Sequence, residues 1–356
     1  MGSICHKLNF NDISSPVALF HAWLAFRRGK ERKEDVQKFG LSLEDNIIGL
    51  HEELEKHRYR HGDYIEFYIN DPKLRRIHKA AVRDRVIHHA VLTAIEPFFE
   101  RHFIFDSYSS RVDKGTYAAV RRLQRFIWRI SRNDTKRVWV LQCDIRKFFD
   151  SVDHGILFGI LSDTIYEPLT LDLLHTIITS YNGTLGKGIP LGNVTSQLFS
   201  NIYLNELDQF MKRDLRTQYY LRYADDFVIA SRDREYLLNL IPKIKIFLAK
   251  RLELNLHERK IVIRPAWQGI DFLGFIIFPY HIVLRPRTKK RMLRQLKTSE
   301  QLYKKGAITA ELYNASLQSY RGMLQHCRAH RLSQYIDIEY KLNNQCSQAE
   351  QDYGGG

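Results

Sequence analysis

The spacing of apolar positions changes several times along the chain, and each change predicts an element. Helical spacing from 17 to 58 surrounds a basic patch, "RRGKERK", which separates an apolar segment from "LEDNIIGLHEELEKHRY". "YIEFYINDPKLRRIHKA" then alternates, turns at Asp71-Pro72 and predicts a hairpin. Helical spacing returns from Arg83 to Arg101, with Val86, Ala90 and Ala94 in step, and Pro97 predicts its end. "GTYAAVRRLQRFIWRI" reads as a basic amphipathic helix and "RVWVLQCDI" as a strand. "RKFFDSVDHGILFGIL" predicts a turn running into a helix, where Asp150 and Asp153 suit turn and cap positions. A glycine-rich loop, "NGTLGKGIPLGN", opens a long helix from about Val194 to Leu215, and "YYLRYADDFVIAS" predicts a hairpin. Residues 235–252 form another helix, starting or kinking at Pro242. "IDFLGFIIF" and "HIVLRP" predict a small closing hairpin, and helical patterns follow from Arg285. This order lacks the strict β-α-β alternation of a doubly wound sheet. It predicts an α+β fold.

The 356 residues, 44% of them hydrophobic, suffice for one large domain or two or three smaller ones. Charge changes the picture more. The net charge of +15 fits a polyanionic partner, or else an unspecialised basic surface. Cysteines at 5, 143, 327 and 346 form no Cys-x-x-Cys pair, which argues against structural zinc and a disulfide framework and fits a reducing cytoplasm. "PVALFHAWLAF" is too short to span a bilayer and lacks the flanks of a signal peptide. His6 stands where a myristoylation motif needs Ser or Thr. The expected location is the cytoplasm, with no membrane partner.

Candidate chemistry begins at Asp225 and Asp226, set between two apolar runs. Adjacent aspartates alone read equally well as a tight turn. Asp144, at the end of "VWVLQCD", shifts the balance. If that strand lies beside the hairpin, three carboxylates converge at one sheet edge. Hard cations such as Mg²⁺ are held by one or two carboxylates plus substrate phosphates. Two such ions about 4 Å apart serve phosphoryl transfer.

"YADD" at 223–226 and "CDIRKFFDSVDH" before it resemble the carboxylate motifs of reverse transcriptases. The resemblance runs in order through "RDRVIHHAV", "SYSSRVDKGT", "GKGIPLGNVTSQLFSNIYLNELD", "LELNLHERK" and "DFLGF", over roughly residues 70–280. In the central loop, "LGNVTSQ" places Leu191 where most retroviral and intron-encoded enzymes carry glutamine, and Gln197 where they carry proline. In that departure the chain resembles the reverse transcriptases of diversity-generating retroelements. Phage-defence reverse transcriptases are the alternative. A catalytically idle RNA-binding scaffold is a third reading, opposed by the intact aspartates, and Phe149 opposes an RNA-making polymerase.

The resemblance implies a right-hand polymerase (fingers, palm and thumb) with an antiparallel palm sheet and a helical thumb. Its divisions would be an N-terminal helical extension at 1–70, fingers at 71–135, palm at 136–280 and a basic thumb at 281–350. It implies that Asp144 and Asp225, with Ile145 alongside, bind two Mg²⁺ ions, Mn²⁺ serving as a substitute, and that Asp226 assists. It places Arg111 and Lys114 on the triphosphate, Phe149 as a gate against the ribose 2′-hydroxyl, Leu191 and Gln197 beside the nucleotide, and Lys260 near the departing pyrophosphate. Read by themselves, Phe149 suits a core position, Arg111 and Lys114 a solvated loop, and Lys260 the protective charge of an edge strand. Residues 285–305 carry nine Lys or Arg and one Glu. There Arg285, Arg287, Lys289, Lys290, Arg291 and Arg294 would track the template–primer backbone. Implied partners are deoxynucleoside triphosphates, a template RNA, its RNA/DNA heteroduplex and a small basic accessory protein oligomer. The implied source is bacterial, archaeal or phage, and the implied copying is error-prone at adenines.

Overall fold

Local signals start the N-terminal helices. α1 (Asn11–Ser14) leads to α2 (Pro16–Arg27), where Ser15 accepts from the Ala18 amide at 3.3 Å and Pro16 occupies the first turn. α3 (Glu34–Leu41) and α4 (Leu43–Glu55) follow, and Leu19, Trp23, Phe26, Leu50 and Leu54 are buried. β1 (Ile65–Asn70) and β2 (Leu74–Lys79) pair antiparallel with Ile65 opposite Lys79, as the alternation predicts. The computed structural model describes residues 8–70, 74–181, 183 and 186–340. The Asp71-Pro72 turn, part of the glycine-rich loop, Cys5, Cys346 and residues 341–350 of the expected thumb lie outside the described residues.

α5 (Val82–Glu100) passes through Pro97 instead of ending there. Proline removes one intrahelical bond, to Thr93, but buried Phe99 anchors the final turn and the helix continues. α6 (Thr116–Ile130) and β3 (Trp139–Asp144) match their predicted positions. α7 (Phe148–Ser151) precedes α8 (His154–Ser162), which Asp153 caps by accepting from the Ile156 amide at 3.0 Å. α9 (Pro168–Thr179) has no counterpart among the predicted elements; Pro168 and the Glu167 carboxylate, acceptor for the Leu169 and Thr170 amides, mark its start. α10 (Val194–Gln209) continues as a π-helical turn over Phe210–Asp214.

β4 (Tyr220–Tyr223) and β5 (Asp226–Ser231) form the predicted hairpin, and α11 (Arg234–Leu252) contains Pro242 internally. After β6 (Val262–Pro265), the expected two-stranded hairpin is instead a three-stranded antiparallel sheet of β7 (Ile270–Phe272), β8 (Phe275–Ile277) and β9 (Ile282–Leu284). Leu273 and Gly274 take φ of +50° and +89°, so "DFLGF" folds back on itself where a continuous strand was expected. α12 (Pro286–Lys304), α13 (Ala310–Leu324) and α14 (His330–Glu339) complete the chain.

The larger sheet runs in the order β4-β5-β3-β6. The result is the expected α+β fold. Contacts divide the chain into two units. The first comprises residues up to Gly115 with Gln142–Ile229 and Glu235–Val262, and the second Thr116–Leu141, Ala230–Arg234 and the residues from Ile263 on. In the first unit α5 packs against α2 and α10; Ile87, Val91 and Ile95 of α5 and Phe199, Tyr203 and Leu207 of α10 are buried. In the second, α12 packs on α13 and α6 against β8. Among the described residues no helix is long and apolar enough to cross a membrane, and Cys143 and Cys327 are free.

Candidate active site

Strand order brings the aspartates of the first unit together, because β5 lies between β4 and β3. The register pairs Tyr223 with Asp226, leaving Ala224-Asp225 as a two-residue turn. Asp144 ends β3, and the amide after it, on Ile145, donates to the Asp225 carbonyl at 3.3 Å. The chain from 255 to 260 runs alongside. Asn255 accepts from the Arg146 amide and the His257 amide donates to the Asp144 carbonyl, each at 2.8 Å. That segment ends in a 3-10 turn, from which Lys260 Nζ reaches Asp144 Oδ2 at 2.6 Å.

Crowding sets the electrostatics. Burial, then the charges of Asp225 and Asp144, push the Asp226 carboxyl up to about 7. Burial and Asp144 also raise Asp225, partly offset by Lys260 and by Arg75 on β2. The carboxylates therefore repel one another, and Lys260, its side chain 41% exposed, sets a cation against Asp144.

Beneath the turn lies the opposite arrangement. Arg222 is 0% exposed and bidentate to buried Asp208, with Nε at 2.9 and 3.0 Å and Nη2 at 2.7 Å. Tyr220 donates its hydroxyl to Asp208 Oδ1 at 2.6 Å. The remaining Arg222 donors reach Asn201 Oδ1 at 3.3 Å, Ser107 Oγ at 3.3 Å and the Ala224 carbonyl at 3.2 Å. Ala224 sits at φ +51°, a left-handed conformation that costs a side-chain-bearing residue about 1–2 kcal/mol. Arg222 thus braces the strained residue that presents Asp225. Neither Arg222, Asp208 nor Arg75 stands out in the sequence reading; an arginine inside the apolar run "YYLRY" was the available signal.

The other expected site residues are placed unequally. Phe149 is half-buried, edge-on to Phe148 with centroids 5.4 Å apart, and its carbonyl accepts from Ile189 at 2.8 Å. The Leu191 carbonyl accepts from His78 of β2 at 3.0 Å, and Asn193 Nδ2 donates to the His78 carbonyl at 3.0 Å. Between them Gly192 is obligatory: its φ is +118° and a Cβ would stand 2.8 Å from Ile77 Cγ2. Gln197 is exposed in the first turn of α10. Arg111 is committed elsewhere, its side chain 5% exposed, paired with Glu100 and donating to the Ile104 and Ser107 carbonyls. Lys114 donates to the Phe105 carbonyl at 3.0 Å and lies 3.5 Å from the centre of that ring. So Lys260 joins the aspartates, whereas Arg111 and Lys114 hold the loop ahead of α6. In the second unit Arg285 pairs with Asp271, Arg291 is half-buried, and Arg287, Lys289, Lys290 and Arg294 are exposed along α12.

Among the described residues no three His, Cys, Asp or Glu side chains stand grouped as a ready metal cage. A cation that keeps water and substrate oxygens needs only one or two carboxylates. Asp144, Asp225 and Asp226 fit that requirement, because their mutual repulsion is what a divalent cation relieves.

A profile of the family described as "Reverse transcriptase (RNA-dependent DNA polymerase)" matches residues 70–277. Protein YkfC of Escherichia coli is 27% identical over 292 residues, covering 71% of this chain and 74% of that protein. The group II intron-encoded protein LtrA of Lactococcus lactis is 23% identical over 277 residues, covering 58% of this chain and 45% of that protein. Apo telomerase from Candida tropicalis superposes with a TM-score of 0.51 at 12% identity, over 65% of this chain and 50% of that one, a likeness of fold. The chain spans less than half of the intron-encoded protein and half of the telomerase chain.

Proposed function

Since the chain belongs to the reverse transcriptase (RNA-dependent DNA polymerase) family, we propose that the aspartate hairpin is its nucleotidyl-transfer centre. The observation that carries this is the crowding of Asp144, Asp225 and Asp226, with Lys260 as counter-charge. Asp144 and Asp225 would hold the cations, with the Ile145 main chain alongside, and Asp226 would add negative charge. Two bound Mg²⁺ ions, or Mn²⁺ in their place, would supply Lewis acidity to the attacking and leaving oxygens. The protein's own part is positional. Arg222 holds the turn, the 255–260 segment holds the Asp144 main chain, and Lys260, on the Asp144 carboxylate, would give a proton to a departing pyrophosphate. Half-buried Phe149 would set its ring against a 2′-hydroxyl, and Leu191, whose carbonyl is pinned to β2, would offer apolar surface to the nucleotide.

The finger, palm and thumb divisions expected from the sequence complete this reading, with exposed cations of α12 on the backbone of a template RNA or heteroduplex. Leu191 and Gln197 favour a diversity-generating retroelement, with a small basic accessory protein as partner. Genomic neighbours discriminate the alternatives: a template and variable repeat pair supports this reading, and a cluster of defence genes supports the phage-defence one. The test of activity is extension of a DNA primer on an RNA template with deoxynucleotides and Mg²⁺. Complementary DNA is the expected product. RNA binding without extension would support the idle scaffold instead.

A further inference from the structure

The second unit carries a basic groove edged with aromatic rings, to which the polymerase reading gives no task. α6 buries Leu123, Phe126 and Ile130 and turns Arg121, Arg125, Trp128 and Arg129 to solvent. From Thr116 to Arg137 the chain has seven Lys or Arg and one acidic residue, Asp134. Two cavities open along this face, of about 680 and about 250 Å³, and Gln124, Arg125 and Tyr280 border both. Arg121, His326 and Arg328 also border the larger, and Trp128 the smaller.

The walls are preset. Tyr280 is 63% exposed, yet its hydroxyl donates to the Asn133 carbonyl at 2.5 Å, so the ring is offered as a fixed face. His326 lies against Tyr117, centroids 3.8 Å apart, and its Nδ1 accepts from Arg121 Nη2 at 2.9 Å, which fixes that guanidinium at the rim. Burial and the Arg121 charge hold His326 below its ordinary pKa, in the neutral form that can accept. The Arg328 amide donates to the Ile282 carbonyl at 2.7 Å, pinning the loop that carries it to β9.

Cations at spaced positions with exposed rings between them suit a strand of phosphates and unstacked bases. We propose that this groove binds single-stranded RNA, an unpaired part of the template away from the segment being copied. Its phosphates would meet Arg121, Arg125 and Arg328, and its bases would stack on Tyr280 and Trp128. The choice of RNA over single-stranded DNA rests on the proposed function. The groove itself does not.

The test measures binding of an unprimed single-stranded RNA, and of DNA of the same sequence, across a salt series without nucleotides. The proteins are the parent, the Arg121→Gln/Arg125→Gln double variant, Tyr280→Ala and Tyr280→Phe. Extension of a short primer–template is measured separately. The double variant should weaken RNA binding about tenfold and flatten the slope of log affinity against log salt by about 1.4, two single-strand phosphate contacts. Tyr280→Ala should weaken it about tenfold at unchanged slope, and Tyr280→Phe, which keeps the ring, should retain most binding. Short primer–template extension should stay parental throughout. Unchanged RNA affinity in the double variant and Tyr280→Ala overturns the proposal, as does an equal loss on the short primer–template, which would place these residues in the copying path. DNA bound as tightly as RNA overturns the assignment to RNA. Because binding is read without nucleotides, an inactive polymerase leaves this result standing, and the two readings fail separately.

Discussion

Arg222 and Asp226 lie four residues apart on paired strands, and they carry charge under opposite conditions. Arg222 is fully buried, and Asp208, Asn201, Ser107 and the Ala224 carbonyl accept from its guanidinium. Asp226 faces two more carboxylates, Asp225 and Asp144, and its own carboxyl is pushed up to about 7. A buried charge with its partners in place holds a structure. Like charges gathered at a strained turn oppose the structure, and persist where something outside the chain relieves them. The hairpin is thus braced at its base and crowded with like charge at its tip, where the proposed cation site lies.

The largest expected effect attacks the base. Arg222→Ala leaves Asp208 buried and unpaired and should cost about 3–5 kcal/mol, read from urea melts. Replacing the pair together, Arg222→Met with Asp208→Leu, should recover most of that stability, because neither charge is then stranded. A double variant as unstable as the single one would mean that the bonds to Asn201 and Ala224 matter more than the pairing.

The next effect has the opposite sign and acts at the tip. In the metal-free protein Asp226 retains a proton in the folded state up to about pH 7, whereas the unfolded chain releases it near the ordinary 3.8. This group's folded form is therefore favoured at low pH, loses stability as pH rises from about 4 to about 7, and changes little above that. Asp226→Asn should remove that decline, so its melts at pH 5 and pH 8 should differ less than the parent's. Parallel pH profiles would show that the crowding is absent in solution.

How far these two regions can be read in the sequence differs for a physical reason. Asp144, Asp225 and Asp226 are legible because a strand end and a hairpin tip are local features, marked by apolar runs that stop at carboxylates. Arg222 and Asp208 pair across fourteen positions, between a strand and a helix, and no periodicity announces such a contact. The same limit hides the Arg111 pairing with Glu100, which only the folded loop brings about. Elsewhere the misses are local. The Leu273-Gly274 turn sits inside an apolar run that reads as one strand, and Pro97 reads as a helix end where buried Phe99 carries the helix past it.

Farther from the carboxylates the contrast weakens, and so do the expected effects. Phe149→Ala should raise ribonucleotide incorporation about tenfold, equivalent to about 1.4 kcal/mol of discrimination, in a primer-extension competition. No change would make Phe149 part of the core alone. Leu191→Gln restores a donor to an apolar surface and should lower misincorporation by no more than about tenfold, most visibly opposite template adenine. Sequencing of cDNA from one RNA template checks it; equal error spectra would place any infidelity elsewhere.

The most direct test of the hairpin tip as a cation site follows melting and primer extension in parallel, with and without Mg²⁺, for the parent and Asp225→Asn. The parent should gain stability from Mg²⁺ and extend a primer on RNA. Asp225→Asn, with one like charge removed, should melt at or above the metal-free parent, gain little from Mg²⁺ and extend about a thousandfold more slowly. Near-parental extension by Asp225→Asn, or equal stabilisation of both proteins by Mg²⁺, would contradict it.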